Sequence, residues 1–280
     1  MKTSLVLLGS LATLGLAAPT QTISYQWSPE LAEFYSAVDN HVQKARARGL
    51  TQQPTCNLSN AVMPVAPTPL PSPAAGLILR EVTIGRGVQV RWPSTALSQP
   101  PLILILNLQN YTCANASAQA TPVPIGAIAS LYNASCIAAN YPDIFSILPA
   151  LALSFPVPPQ PSGVLAPSNI DLSGHHYFAT TTTPVFNLNV SPDPADKIGN
   201  VVGRKAASST APADAVKGPD GVGNGAVAWL YVSATNATQG DVKAVYRLNT
   251  AGGSPPETCE NSAAEFSVQY AAEYWFYSTP

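Results

Sequence analysis

Phe266-Ser267-Val268-Gln269-Tyr270-Ala271-Ala272-Glu273-Tyr274-Trp275-Phe276-Tyr277 stands near the end of this 280-residue chain. Successive side chains of a strand point to opposite faces. Tyr274 and Phe276 therefore share one face, and Trp275 and Tyr277 share the other. Aromatic residues suit a pleated, half-buried surface, so the stretch reads as a strand with one face in a core. Four earlier stretches alternate in the same way: Leu77 to Ile84, Ile125 to Tyr132, Ala226 to Val232 and Val242 to Leu248. Clusters of Gly, Pro, Asn and Ser separate them. Short strands divided by turn residues predict a mainly β domain over residues 75–280, an antiparallel sandwich or a distorted barrel.

A helix is expected ahead of it. Ser28 can cap, Pro29 fits a first turn, and Glu30 faces the positive end of the helix dipole. Leu31, Phe34, Tyr35, Val38 and Val42 then form one apolar stripe, and Gly49 can stop the helix after Arg48. This helix is expected to pack on the β domain. Pro64 to Pro73 reads as a proline-rich linker, so residues 19–74 are helix plus linker. Pro142 to Leu148 predicts a short helix ended or kinked at Pro149.

Charged residues are only 10% of the chain, against a usual ~25%. Hydrophobic residues reach 46%, and 13 Lys and Arg against 15 Asp and Glu leave a net charge of −2. That apolar content excludes a charge-rich disordered chain. The missing basic excess argues against nucleic acid as a partner. Met1 to Ser4 is a short basic start, followed by an apolar run from Leu5 to Leu16 and the small pair Ala17-Ala18. This pattern predicts a signal peptide over residues 1–18 and an extracellular protein. The run is shorter than the ~20 residues of a membrane span. No later segment reads as a span, since Pro142, Asp143 and Pro149 interrupt the apolar stretch from Ile137 to Phe155.

In an oxidising compartment the four cysteines, Cys56, Cys113, Cys136 and Cys259, predict two disulfides. Their spacing leaves all three pairings open. No CxxC pair suggests a zinc site. Glycosylation sequons occur at Asn57, Asn110, Asn115, Asn133 and Asn236. Asn189 is a weaker one, because Pro192 follows its Ser191.

Several stretches, taken in order, carry a resemblance. They are Gly85 to Gln89, Asn110 to Cys113, Leu172 to Phe178, Ala226 to Leu230, Tyr246 to Gly253, Pro255 to Glu260 and Val268 to Phe276. Together they resemble a secreted family, found mainly in fungi and bacteria, known as domain of unknown function 3455. The resemblance covers Leu77 to Tyr277. It implies a Cys113–Cys259 disulfide, which leaves Cys56–Cys136. It implies no agreed activity, although fungal members often bear the label malate dehydrogenase. In the relatives, the segment like Gly85 to Gln89 runs straight into the one like Asn110 to Cys113. Here the segment Val90 to Gln109 intervenes. A valine codon begins with GT, Gln109 permits CAG, and a whole number of codons keeps the frame, so the segment reads as a translated intron. The alternative is a surface loop, for which the aliphatic run Leu102 to Leu106 is poorly suited.

The malate dehydrogenase label fails on sequence. The dinucleotide fingerprint needs GxGxxG between a strand and a helix. Gly218 to Gly225 precedes a strand instead, and Gly199 to Gly203 has the wrong spacing. No cofactor is expected. His175 and His176 are adjacent, so in a strand they point apart and could share a metal only at a kink beside Gly174. No HExxH or HxH spacing supports a metal. No GxSxG marks a nucleophile. Glu273 is a carboxylate within an aromatic strand, and its plain structural role would be an ion pair with Arg247 or Lys205. Weak catalytic candidates are thus His175, His176 and Glu273. An exposed Trp275 and Tyr277 would make a stacking platform for sugar rings, although burial under the Ser28 to Arg48 helix is the preferred reading. The expected function is a non-catalytic cell-wall or polysaccharide-associated module. The alternatives are a hydrolase or metal enzyme at His175 and His176, or a secreted factor acting on a host or competitor.

Overall fold

A computed structural model describes residues 28–49, 54–86, 109–155, 163–165, 170–191, 194, 197–218 and 223–280. The signal-like segment 1–18 and the segment 90–108 lie outside the described residues.

The carboxy-terminal aromatic stretch divides into β11 (Glu265–Val268) and β12 (Tyr270–Ser278). β12 lies between β1 (Ile78–Arg86) and β10 (Val242–Gly252), antiparallel to both. From β10 the sheet continues through β9 (Trp229–Ala234), β8 (Asn200–Ser209), β7 (Thr183–Asn187) and β6 (Ile170–Thr180). From β1 it continues in the other direction to β4 (Ala129–Asn133). β4 also pairs with β6, with Ala129 opposite His176 and Leu131 opposite Gly174. That pairing leaves no edge between them, and closure is the physical solution to exposed strand edges. Of the two expected architectures, the structure is therefore the barrel: eight antiparallel strands, fully closed. β5 (Val164–Leu165) adds to β6, and β11, β2 (Gln109–Thr112) and β3 (Val123–Ala127) make a small second sheet.

Alternation sorts the side chains into two cores. Inside the barrel lie Leu131, Phe186, Leu188, Val201, Val245, Tyr274 and Phe276. Outside, Val82, Ile84, Tyr246, Leu248 and Trp275 meet the helices. Both faces of β12 are thus core faces. That is why one short strand carries so many aromatics.

The outer core is covered by α2 (Ser135–Asn140) and α3 (Pro142–Ser154). α3 continues through Pro149 rather than ending there. An internal proline forfeits one backbone hydrogen bond, but burial of Ile144, Phe145, Leu148, Leu151 and Leu153 holds the helix together. α1 (Pro29–Ala47) starts as expected, with the Ser28 hydroxyl accepting from the Leu31 amide at 3.2 Å. It packs on α3, not directly over Trp275. His41 Nε2 meets Asp143 Oδ1 at 2.9 Å, and Ser154 Oγ donates to Glu30 Oε2 at 3.4 Å. The ring that packs edge-on against Trp275 is Phe145 of α3, with centroids 5.9 Å apart. The proline-rich linker is bound at two points. The Thr68 amide donates to Ser209 Oγ at 2.9 Å, and the Tyr246 hydroxyl donates to the Pro71 carbonyl at 2.8 Å.

Two disulfides are present. Cys56–Cys136 clips the segment ahead of the linker to α2, and Cys113–Cys259 ties the end of β2 to the loop before β11.

Candidate binding cavity

The barrel interior is not filled from end to end. A cavity of about 360 Å³ opens at the mouth beside the β6–β7 turn, Thr181 and Thr182. Phe186, Leu230, Val232 and Val245 make its apolar wall, and His176, Tyr274 and Arg247 supply its polar groups. Eight-stranded barrels have lumens just wide enough for side chains or one small ligand. Small residues open the space here. A Cβ on Gly85 would stand 2.5 Å from the Tyr274 ring, so only glycine lets that ring lie flat against β1.

Cross-strand register sets the polar groups. Arg247 lies opposite Tyr274 on β12, on the same inner face as Val245 and Phe276. Its Nε and Nη2 both donate to the Ala228 carbonyl, at 3.2 and 2.8 Å. The guanidinium carbon lies 5.9 Å from the centre of the Tyr270 ring. Tyr270 and Tyr274 share a hydrogen bond of 2.9 Å between their hydroxyls. Burial holds both phenols above their usual range, so they stay neutral. Tyr111 also faces the cavity, donates to the Gly253 carbonyl at 2.8 Å, and is raised by burial.

His176 is 2% exposed and stacks on Phe186 at 4.3 Å. Its Nδ1 is 2.9 Å from the Val185 carbonyl. A carbonyl only accepts, so Nδ1 carries the proton and Nε2 is a free acceptor. Burial pushes the imidazole down to about 3, with the Arg247 charge adding to the fall. It is neutral at any ordinary pH.

The catalytic candidates are not brought together. His175 lies on the opposite side of the strand from His176, pairing with Ser130 and Asn187, and its Nδ1 has no partner among the described residues. Glu273 is fully buried on the outer face, opposite Leu248 rather than Arg247. No ion pair with Arg247 or Lys205 forms there. Glu273 Oε1 accepts from Asn249 Nδ2 at 2.8 Å and Oε2 from Trp275 Nε1 at 2.9 Å. Desolvation raises this carboxyl to about 7. The barrel wall therefore separates Glu273 from His176. No group of three His, Cys, Asp or Glu among the described residues could hold a metal.

Trp275 is 1% exposed and Tyr277 half-buried, its hydroxyl 3.8 Å from Met63 Sδ. Neither forms an open platform. Among the sequons, Asn57, Asn115 and Asn236 are exposed. Asn110 and Asn133 are half-buried, and their Oδ1 atoms accept from Ser267 Oγ and the Ser135 amide.

Arg247 is the residue that sequence reasoning placed wrongly, treating it as a partner for Glu273. A cation set directly between Tyr246 and Leu248, in the alternating stretch Val242 to Leu248, was the available signal.

Fold and cavity together define a closed antiparallel barrel with an apolar cavity at the mouth beside Thr181 and Thr182. The chain belongs to the family described as protein of unknown function (DUF3455), whose model matches residues 106–278. The match begins beyond β1, although β1 is a strand of the same barrel. A second model, also described as protein of unknown function (DUF2990), matches residues 9–77. No curated protein and no solved structure matches the chain. No helix among the described residues is long and apolar enough to cross a membrane.

Proposed function

We propose that the protein is a non-catalytic extracellular binder that takes a small, largely apolar molecule into the mouth of its barrel. The open cavity of about 360 Å³ within a closed lumen carries this reading. Ligand sites are typically concave, apolar and furnished with a few placed polar groups, and barrel mouths are a common location. Two disulfides and the basic, apolar, small-residue order of the first 18 residues support the extracellular placement. A wall or polysaccharide role would need a flat aromatic row. Trp275 has no free face, so a cavity ligand fits the geometry better than a polymer.

The test is fluorescence titration of the native protein with N-phenyl-1-naphthylamine, a neutral apolar probe. Saturable binding at one site per chain is expected. Leu230→Trp, which fills the mouth, should abolish it while the melting temperature stays within a few degrees. A folded wild-type protein that leaves the probe dark would refute the proposal.

A further inference from the structure

The cavity carries a charge, Arg247, with which no described carboxylate pairs. Arg247 is 8% exposed, and among the described residues no carboxylate pairs with it. Its neighbours are two neutral tyrosine hydroxyls, a neutral histidine and the Ala228 carbonyl. A guanidinium has five donors; two point to the same carbonyl, and the group also hydrogen-bonds the Tyr270 and Tyr274 hydroxyls, none of which carries a negative charge. Burying a cation without a counter-ion is costly. Lys205 at the rim adds a second positive group to the approach. The carboxylate of Glu81, on β1, is held by the Ser173 hydroxyl and lies opposite Phe276, away from the mouth.

Building on the cavity reading above, we infer that the ligand is an amphipathic anion: an apolar body with one acidic group, whose anionic oxygens sit on Arg247. Arginine matches carboxylates and related oxyanions with parallel N–H donors, and such bonds are strong in a low-dielectric site. The apolar body lies against Phe186, Leu230 and Val232.

Two probes of nearly the same shape decide this. N-phenyl-1-naphthylamine is neutral, and 1-anilinonaphthalene-8-sulfonate adds one sulfonate. The anion should bind native protein about tenfold tighter or more. Arg247→Met should remove that advantage, bringing the ratio of the two probes' affinities to about one. Decanoate should displace the neutral probe at about tenfold lower concentration than methyl decanoate, a comparison that needs no variant. Equal affinities for charged and uncharged members of both pairs would overturn the anion and keep the cavity. Failure of every probe would overturn both.

An independent observation concerns the connection between β1 and β2. Arg86 pairs with Ala271 on one side and Ser130 on the other. Gln109 pairs with Val268 and Ala127. Along this chain the numbering advances from 86 to 109. On each neighbour it retreats only from 271 to 268 and from 130 to 127. In an antiparallel ladder the two changes must be equal. Both ladders therefore leave the same surplus, and it equals the length of Val90–Gln109. Removing Val90–Gln109 would bring Gln89 to the register position of Gln109 and join β1 and β2 into one strand. We propose that Val90–Gln109 is absent from the functional protein, as a translated intron would be.

Transcripts from the source cells should lack the codons for Val90–Gln109. A chain made without this segment should melt higher than the full chain by roughly 5 °C, since one long loop no longer has to be closed. Transcripts that all retain the segment, or a shorter chain that fails to fold, would overturn the proposal.

Discussion

Two buried ionisable side chains give this protein opposing responses to pH. Glu273 titrates near 7 in the folded protein against an ordinary 4.5, because burial penalises its charge. The native state holds this proton longer, so its contribution to stability is complete below pH 4.5 and lost as pH rises through 7. The loss amounts to about 3 kcal/mol. His176 runs the other way. Its folded value of about 3 lies below the ordinary 6.5, so its contribution is present above pH 6.5 and lost as pH falls towards 3. Between pH 4.5 and 6.5 the slopes of Glu273 and His176 oppose each other, and His175, which burial also lowers, adds to the histidine side. Glu273→Gln should unmask the histidines, giving a urea midpoint that climbs more steeply across that window than the wild type's. A midpoint no steeper than the wild type's would show that Glu273 does not carry the proton.

At the scale of elements, the helical cover depends on its ties to the barrel. α1 reaches the barrel through α3, and the linker is held by hydrogen bonds to Ser209 and Tyr246. The Cys56–Cys136 bridge spans 80 residues and is the covalent tie. Replacing both cysteines by serine should cost up to ~4 kcal/mol on the chain-entropy account. Limited proteolysis should then cut the linker well before the barrel, because β1 and the strands after it keep their pairing. Simultaneous loss of linker and barrel would show that the cover and the barrel unfold as one unit.

For the whole molecule, the cavity couples ligand to stability. A ligand that binds only the folded state at a hundred times its dissociation constant adds about 2.7 kcal/mol. Decanoate at that excess should raise the melting temperature of native protein, and the rise should shrink in Arg247→Met. No rise at saturating decanoate would place the acid outside the fold. The surface offers a second check at this scale. Asn57, Asn115 and Asn236 are exposed, so enzymatic removal of N-glycans from protein made in a eukaryotic secretory host should lower its mass.

Local pattern determined much of this molecule. The period-2 alternation of Tyr274 to Tyr277 assigns each ring to its side of the sheet, and the Ser28-Pro29-Glu30 start fixes the first turn of α1. These are properties of neighbouring residues, and backbone geometry alone converts them into structure. Strands β6 to β8 were less legible, since Gly, Ser, Thr and Asn dilute their alternation. Closure was not legible at all. Whether β4 meets β6 depends on two strands separated in the chain by α2, α3 and β5, and a sandwich and a barrel share the same alternation. The same limit applies to the site. Alternation separates His175 from His176, but only register across β10 and β12 sets Arg247 beside Tyr274 and leaves Glu273 behind the wall. Sequence shows which faces are apolar. Only the closed sheet decides that one of those faces surrounds a cavity, because enclosure is a property of the whole ring of strands and of no strand within it.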